Sequence, residues 1–181
     1  HSNWCYEASA MDALNVVNQD DVQFLWLPLA HSFGKVLTCA QLQVGFMSAV
    51  DGRVPEIINN LPVVQPTIMA GVPRIYEKIY AGVNAQFEGG GAKAKIADWA
   101  FRIGKQAAAK RNAGEPVTGA LSMQANLAEK LVFSKIKARM GGRIRFFISG
   151  SAALNRDIAE WFDAAGLPVL EGYGLTETSA A

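Results

Sequence analysis

Cysteine is almost missing from these 181 residues: only Cys5 and Cys39 occur, with no CxxC spacing and no histidine beside them. That excludes a disulfide framework and a thiolate metal site, and makes a reducing cytosol the simplest setting. No uninterrupted apolar run approaches the roughly 18 residues needed to cross a bilayer, and no signal-peptide pattern opens the chain. Internal repeats and low-complexity tracts are absent. Charge is sparse at 18%, against 50% hydrophobic residues, a balance that suits one globular unit with a sizeable core and excludes a disordered tail.

The net charge of +1 hides a segregation. Residues 92–145 hold twelve of the 17 Lys and Arg residues but only Asp98, Glu115 and Glu129 on the acidic side, a local charge of +9. A segment of this kind faces something negative, such as phospholipid head groups or a polyphosphate ligand. No DNA- or RNA-binding motif accompanies it, so nucleic acid is not an expected partner.

Short apolar runs alternate with longer helical patterns, the sign of an α/β fold with a parallel sheet covered by helices. Strands are expected at 22–27, 46–50, 67–70, 144–149 and 168–170. Helices are expected at 7–17, 32–44, 73–86, 92–111, 121–140 and 155–165. Within 92–111 one face carries Ile96, Trp99, Ala100, Ile103 and Ala107, with Lys95, Arg102 and Lys105 opposite. Such a face usually docks on its own core, yet the surplus of cations leaves a peripheral contact with an anionic membrane open.

The most informative stretch is Glu171-Gly172-Tyr173-Gly174-Leu175-Thr176-Glu177-Thr178, which follows an apolar strand pattern. Glycines beside Tyr173 let backbone amides approach a flat ring or a phosphate. Tyr173 offers a stacking face, Thr176 a hydroxyl for a phosphate oxygen, and Glu177 a hard oxygen ligand for Mg2+. The octapeptide taken alone reads equally well as a Gly-rich turn with Thr176 as an N-cap and Glu177 in solvent. Upstream, the expected strand at 144–149 runs into Gly150, Ser151 and Ala152, so both loops leave carboxyl ends of strands, where open α/β sheets bind ligands. A turn before a helix capped by Asn155 is the plainer account of the second loop. His31 follows another strand end. A lone His is more often a packed, hydrogen-bonded residue than a catalytic one.

GYGLTET is similar to the adenylate-binding motif of the AMP-forming acyl-CoA synthetase superfamily, and further segments agree with it in order. Leu27-Pro28-Leu29-Ala30-His31 resembles that family's PLxH motif, and the stretch from Arg145 to Leu154, RFFISGSAAL, resembles its adenine-side loop. PTIMAGVPRIYEKIY, from Pro66 to Tyr80, resembles long-chain fatty acid CoA ligases in particular. The resemblance covers essentially the whole chain. It implies part of the large N-terminal domain of an adenylate-forming enzyme, with a basic helical insertion at about 87–142.

By that resemblance the substrates are a fatty acid, ATP and CoA, with Mg2+ held by Glu177. Gly150, Ser151, Ala152, Glu171, Gly172, Tyr173, Gly174, Leu175 and Thr176 are implied to bind the nucleotide. His31 is implied to border the acyl group, and Gly71, Val72 and Pro73 to line its channel. Thr176, Glu177 and His31 are the residues implied to act in catalysis. The Pro-Lys-Gly phosphate loop and the Lys-bearing C-terminal domain of the family do not occur in these residues, so an internal fragment, inactive by itself, is expected. The expected location is cytoplasmic, with the inner face of a membrane as a peripheral site. Two other functions stay open: an acyl-AMP ligase serving a carrier protein, and a noncatalytic nucleotide- or lipid-surface-binding module.

Overall fold

Five apolar runs become the strands of one parallel sheet in a computed structural model that describes residues 1–87 and 89–180. The strands are β1 (Val22–Leu25), β2 (Met47–Val50), β3 (Ile68–Gly71), β4 (Phe146–Ser149) and β5 (Val169–Glu171). Their order is β2-β1-β3-β4-β5. The helices are α1 (Ser2–Ala13), α2 (Ser32–Val44), α3 (Ile57–Val64), α4 (Pro73–Asn84), α5 (Gly91–Asn112), α6 (Gly119–Ala128), α7 (Ser134–Arg139) and α8 (Arg156–Ala164). Parallel crossovers are right-handed, so the reversal of direction between β1→β2 and β3→β4→β5 puts α2 on one face and α4 to α8 on the other. Crevices for ligands form at such a reversal, outside the carboxyl ends of the strands.

Every expected strand is present, with ends displaced by no more than two residues. The helices depart further. The first begins at Ser2 and stops at Ala13, because Asn15 adopts φ 53, a left-handed geometry that Asn tolerates and that ends the 7–17 pattern early. Residues 54–64, read as no element, form a 3-10 turn (Val54–Glu56) and α3, despite Pro55 and Pro62. Pro55 sits in a first turn, where its missing N–H costs nothing, and burial of Ile57 and Leu61 holds α3 in place. The expected helix at 121–140 is interrupted by a π-turn at Glu129–Phe133, and its wider turn lets adjacent Val132 and Phe133 both be buried, Phe133 against Phe101. On α5 the buried stripe is Ala97, Ala100, Ile103, Gly104, Ala107 and Ala108, while Ile96 lies outside it at 43% exposure.

The core on the α4–α8 face is aromatic. Tyr76 of α4 is wholly buried, its ring edge-on to Phe147 and Phe162 at 5.5 and 5.8 Å, and its hydroxyl donates to Ile148 O at 2.8 Å. That bond ties α4 to β4, and burial pushes the phenol's pKa far above its ordinary value. At the opposite edge of the sheet, where the strands begin, a charge cluster around the buried Asp21 carboxylate joins β1, β3 and β4. Arg145 Nη1 donates to both oxygens of Asp21 at 2.6 Å, the Thr67 hydroxyl donates to the same carboxylate at 2.5 Å, and Asn18 N–H at 2.9 Å. Burial opposes ionisation of Asp21 most strongly, but those hydrogen bonds and the Arg145 charge outweigh it and hold the carboxyl below its ordinary range.

Candidate active site

Two loops that leave adjacent strands build the site. Beyond β4, Gly150 N–H donates to Gly71 O at 3.1 Å, and its bare α-carbon faces Phe33 of α2 so closely that a Cβ would lie 2.9 Å from the Phe33 ring. A larger residue there would have to push the Phe33 ring aside. Ser151 then takes φ 69 and turns the chain toward α8, where the Asn155 side chain caps the helix by accepting from Asp157 N–H at 2.8 Å. Beyond β5, Gly172 N–H donates to Ser149 O at 2.8 Å and keeps the second loop beside the first.

Glu171 locks the loops together, because its Oε1 accepts from Leu154 N–H at 2.8 Å. Tyr173 projects with 85% exposure, its ring free on both sides. Thr178, a residue the sequence reading passed over, organises the turn that follows: its hydroxyl donates to Leu175 O at 3.0 Å and accepts from Leu175 N–H at 3.1 Å. No helix starts at Thr176, so the N-cap role considered for it does not arise; Thr176 and Glu177 are both exposed. A three-residue offset between Leu175 and Thr178 was the available signal for this local turn.

Both loops open onto a cavity of about 580 Å³. Gly150, Ser151, Glu171, Gly172, Tyr173, Gly174, Leu175, Thr176 and Glu177 line its mouth, so most of the expected nucleotide-binding residues are brought together. Ala152 is exposed and lies off the wall. His31 is the exposed N-cap of α2; the wall takes its neighbours Ser32 and Phe33 instead. The body of the cavity is apolar, with Met11, Val17, Val36, Leu37, Phe146 and Ile148 contributed by α1, the turn after it, α2 and β4.

The expected apolar wall of Gly71, Val72 and Pro73 is a correction. Gly71 is buried at the end of β3, where a Cβ would meet Ile75 at 2.8 Å and both Trp26 and the Tyr76 hydroxyl at 3.2 Å. Val72 caps α4 and Pro73 starts it, so these residues serve the helix on the other face of the sheet. Side chains alternate along a strand. Phe146 and Ile148 therefore face the cavity, whereas Phe147 and Ser149 face α4. The Ser149 hydroxyl is the buried side-chain polar atom that finds no partner among the described residues.

The sequence pattern of AMP-binding enzymes matches residues 1–181. The chain belongs to the AMP-binding enzyme family. It is 36% identical over 165 residues to peroxisomal long chain acyl-CoA synthetase 6 of Arabidopsis thaliana, covering 88% of this chain and 22% of that protein. It is 35% identical over 167 residues to fatty acyl-CoA synthetase A of Dictyostelium discoideum, covering 87% and 22% respectively. The chain thus spans about a fifth of the length of these relatives. Its fold resembles that of the N-terminal domain of FACL13 from Mycobacterium tuberculosis, with a TM-score of 0.60 at 15% identity over 99% of this chain and 33% of that one.

Among the described residues no group of three or more His, Cys, Asp or Glu side chains could hold a metal. Glu177 is an exposed carboxylate on a wall that also carries Glu7 and the Glu171 bonded to Leu154 N–H. That donor set fits Mg2+ shared with a nucleotide, since Mg2+ takes one or two carboxylates and completes its shell from water and substrate phosphates.

Proposed function

We propose that the intact protein carrying this chain is a long-chain fatty acid CoA ligase. It joins a fatty acid carboxylate to the α-phosphate of ATP with release of pyrophosphate, then passes the acyl group to the CoA thiol with release of AMP. The observation that carries this reading is one cavity with a nucleotide-type mouth and an apolar body. Relatives at 36% and 35% identity named as acyl-CoA synthetases support it.

A fatty acid resists attack because its leaving group would be oxide, and adenylation makes AMP the leaving group instead. The carboxylate is ionised at neutral pH and needs no general base. Its oxygen bonds to the α-phosphorus while the bond to the bridging oxygen breaks and pyrophosphate departs with the electron pair. Negative charge gathers on phosphate oxygens, so the protein's work is positioning and neutralisation. Tyr173 stacks on adenine, opposite the backbone of Gly150 and Ser151. Glu171, with Oε1 committed to Leu154 N–H, has Oε2 left to accept from the purine's exocyclic amine. The Thr176 hydroxyl donates to an α-phosphate oxygen, and the backbone of Gly172, Gly174 and Leu175 lines the nucleotide. Glu177 is the residue that would hold Mg2+, which would supply charge neutralisation at the phosphates.

Glu177→Gln in the intact protein should lower pyrophosphate release about 100- to 1000-fold, the loss expected on removing one preorganised charge partner, with an unchanged melting temperature. Wild-type rates at saturating Mg2+ would remove Glu177 from the site. Adding CoA separates this function from its rivals: the CoA ligase converts acyl-adenylate to acyl-CoA and turns over, a ligase for a carrier protein holds acyl-adenylate whether or not CoA is present, and a binding module releases no pyrophosphate at all.

The same reading extends to location: a cytoplasmic protein whose basic helices rest on an anionic membrane, where the fatty acid is dissolved. Met123, Leu127 and Leu131 recur every four residues along α6 and the π-turn at 75%, 48% and 40% exposure. Lys130 in the π-turn and Lys93 and Lys95 on the preceding α5 are exposed with no ion pair among the described residues. An apolar stripe carried on a cation-rich segment suits a lipid interface.

A further inference from the structure

The apolar cavity does not end at the strand ends where the nucleotide loops begin. Its wall includes Gly150 beyond the carboxyl end of β4, Ile148 and Phe146 along the strand, and Val16 and Val17 at the far side. A four-residue strand advances about 13 Å, so the cavity extends the length of β4, away from the nucleotide mouth and toward the edge where the strands start.

What lies at that far end is a tethered turn. After α1, Asn15 reverses the chain at φ 53 and sends Val16 and Val17 back toward the sheet. Arg145 Nη2 donates to Val16 O at 3.1 Å while Nη1 grips Asp21, which is only 2% exposed and is itself bonded to Thr67 and Asn18. Val17 is 6% exposed and packs in a cluster with Ala40, Val44, Phe46, Ile68 and Phe146. Met11 of α1 packs against the same cluster and shares the cavity wall. The far end is therefore apolar at Val17 and Met11 and tethered through half-exposed Arg145 to the buried Asp21 carboxylate, and the close-packed cluster around Val17 yields little to an added methylene.

We propose that the turn at Val16 and Val17, pinned by Arg145 to Asp21, is the distal stop of the acyl cavity, and that Val17 and Met11 set the longest acyl chain the enzyme accepts. This rests on the acyl-activating reading above. A chain shorter than the stop leaves the far end empty, one that reaches it gains contact with Val17 and Met11, and one that exceeds it must displace the turn and the ion pair behind it.

The test measures pyrophosphate release by the intact protein with ATP, Mg2+, CoA and octanoate, dodecanoate or hexadecanoate. Val17→Phe and Met11→Trp fill the far end from two different elements, so that failure of one variant to fold leaves the other as a test. Melting temperature and the KM for ATP report on folding and on the mouth. In each folded variant the ratio of kcat/KM for hexadecanoate to that for octanoate should fall about tenfold or more, within the range by which one methylene is discriminated in an apolar pocket, with the KM for ATP held. Val17→Ala should move the ratio the other way. An equal loss for all three acids would make these residues merely structural, and an unmoved ratio would mean that the chain leaves the cavity past exposed Leu14; either overturns the stop. If the wild-type protein releases no pyrophosphate with any of the acids, the acyl-activating reading itself falls, and the stop with it.

Discussion

Tyr173 and Glu171 show how neighbours two residues apart take different tasks. The Tyr173 ring is exposed because Gly172 and Gly174 place nothing over it, and an exposed aromatic face beside a cavity is what a purine can stack on. Tyr173→Ala should raise the KM for ATP about 5- to 150-fold, matching the worth of base stacking, and should leave the KM for the fatty acid nearly unchanged. Tyr173→Phe should bind ATP as the wild type does. Steady-state kinetics with each substrate varied decides it: a Phe variant as impaired as the Ala variant would assign the effect to the hydroxyl and end the stacking account. Glu171 differs because it is half committed within the protein, and its bond to Leu154 N–H was invisible in a sequence where the two residues lie far apart. Local chemistry was legible at Tyr173, where flanking glycines are adjacent, and illegible at Glu171, where the partner is brought by the sheet.

At the scale of elements, the basic segment resolves into paired and unpaired charges. Lys110 meets Glu115 at 2.7 Å and Lys137 meets Glu129 at 2.8 Å, pairs already within the +9, while Lys105 meets Glu160 at 3.6 Å and Arg145 meets Asp21 at 2.6 Å, so two carboxylates from outside residues 92–145 lower what a partner would feel. Replacing Lys93, Lys95 and Lys130 with Gln should weaken sedimentation of the intact protein with anionic vesicles, each charge contributing about 1 kcal/mol at most at low salt and less once screened. Lys105→Gln should have the smaller effect. Equal sedimentation of wild type and triple variant at low salt would reduce α5 and α6 to a solvated face. Element boundaries were misread for related reasons: α3 was hidden by two prolines, and the π-turn between α6 and α7 answers to Phe101, an aromatic supplied by another helix.

For the molecule as a whole, the Asp21 cluster is the feature with a pH signature. Its carboxyl titrates below the ordinary value in the folded state. The resulting stability is fully present above the ordinary aspartate range and is lost as pH falls through the depressed folded value. Arg145→Met should destabilise the protein at neutral pH by no more than about 3 kcal/mol, the low end for breaking a buried pair. Arg145 keeps 42% of its side chain in solvent, which tempers the loss. In urea titrations the gap between wild type and variant should close as Asp21 protonates in acid. A gap that stays the same in acid would mean that Arg145 acts through Val16 O and packing, with no contribution from the ionised carboxylate.

Whatever depends on neighbours in the chain could be read before any fold was known: strands from short apolar runs, the helix at 32–44, and a glycine-bearing loop after the last strand at GYGLTET. Strand periodicity and glycine's freedom are local properties, so they survive without tertiary information. The shape of the cavity was another matter. Gly71, Val72 and Pro73 have the composition of an apolar wall, yet they face Trp26, Ile75 and Tyr76 or start α4, while Met11, Val17, Phe33 and Leu37 form the wall instead. Which side of a sheet a residue serves follows from crossover handedness and strand order, and whether a turn is fixed or loose follows from pairs such as Arg145 and Asp21, 124 residues apart. Those are decided only when distant segments meet, because burial and charge pairing are energies of contact and not of sequence.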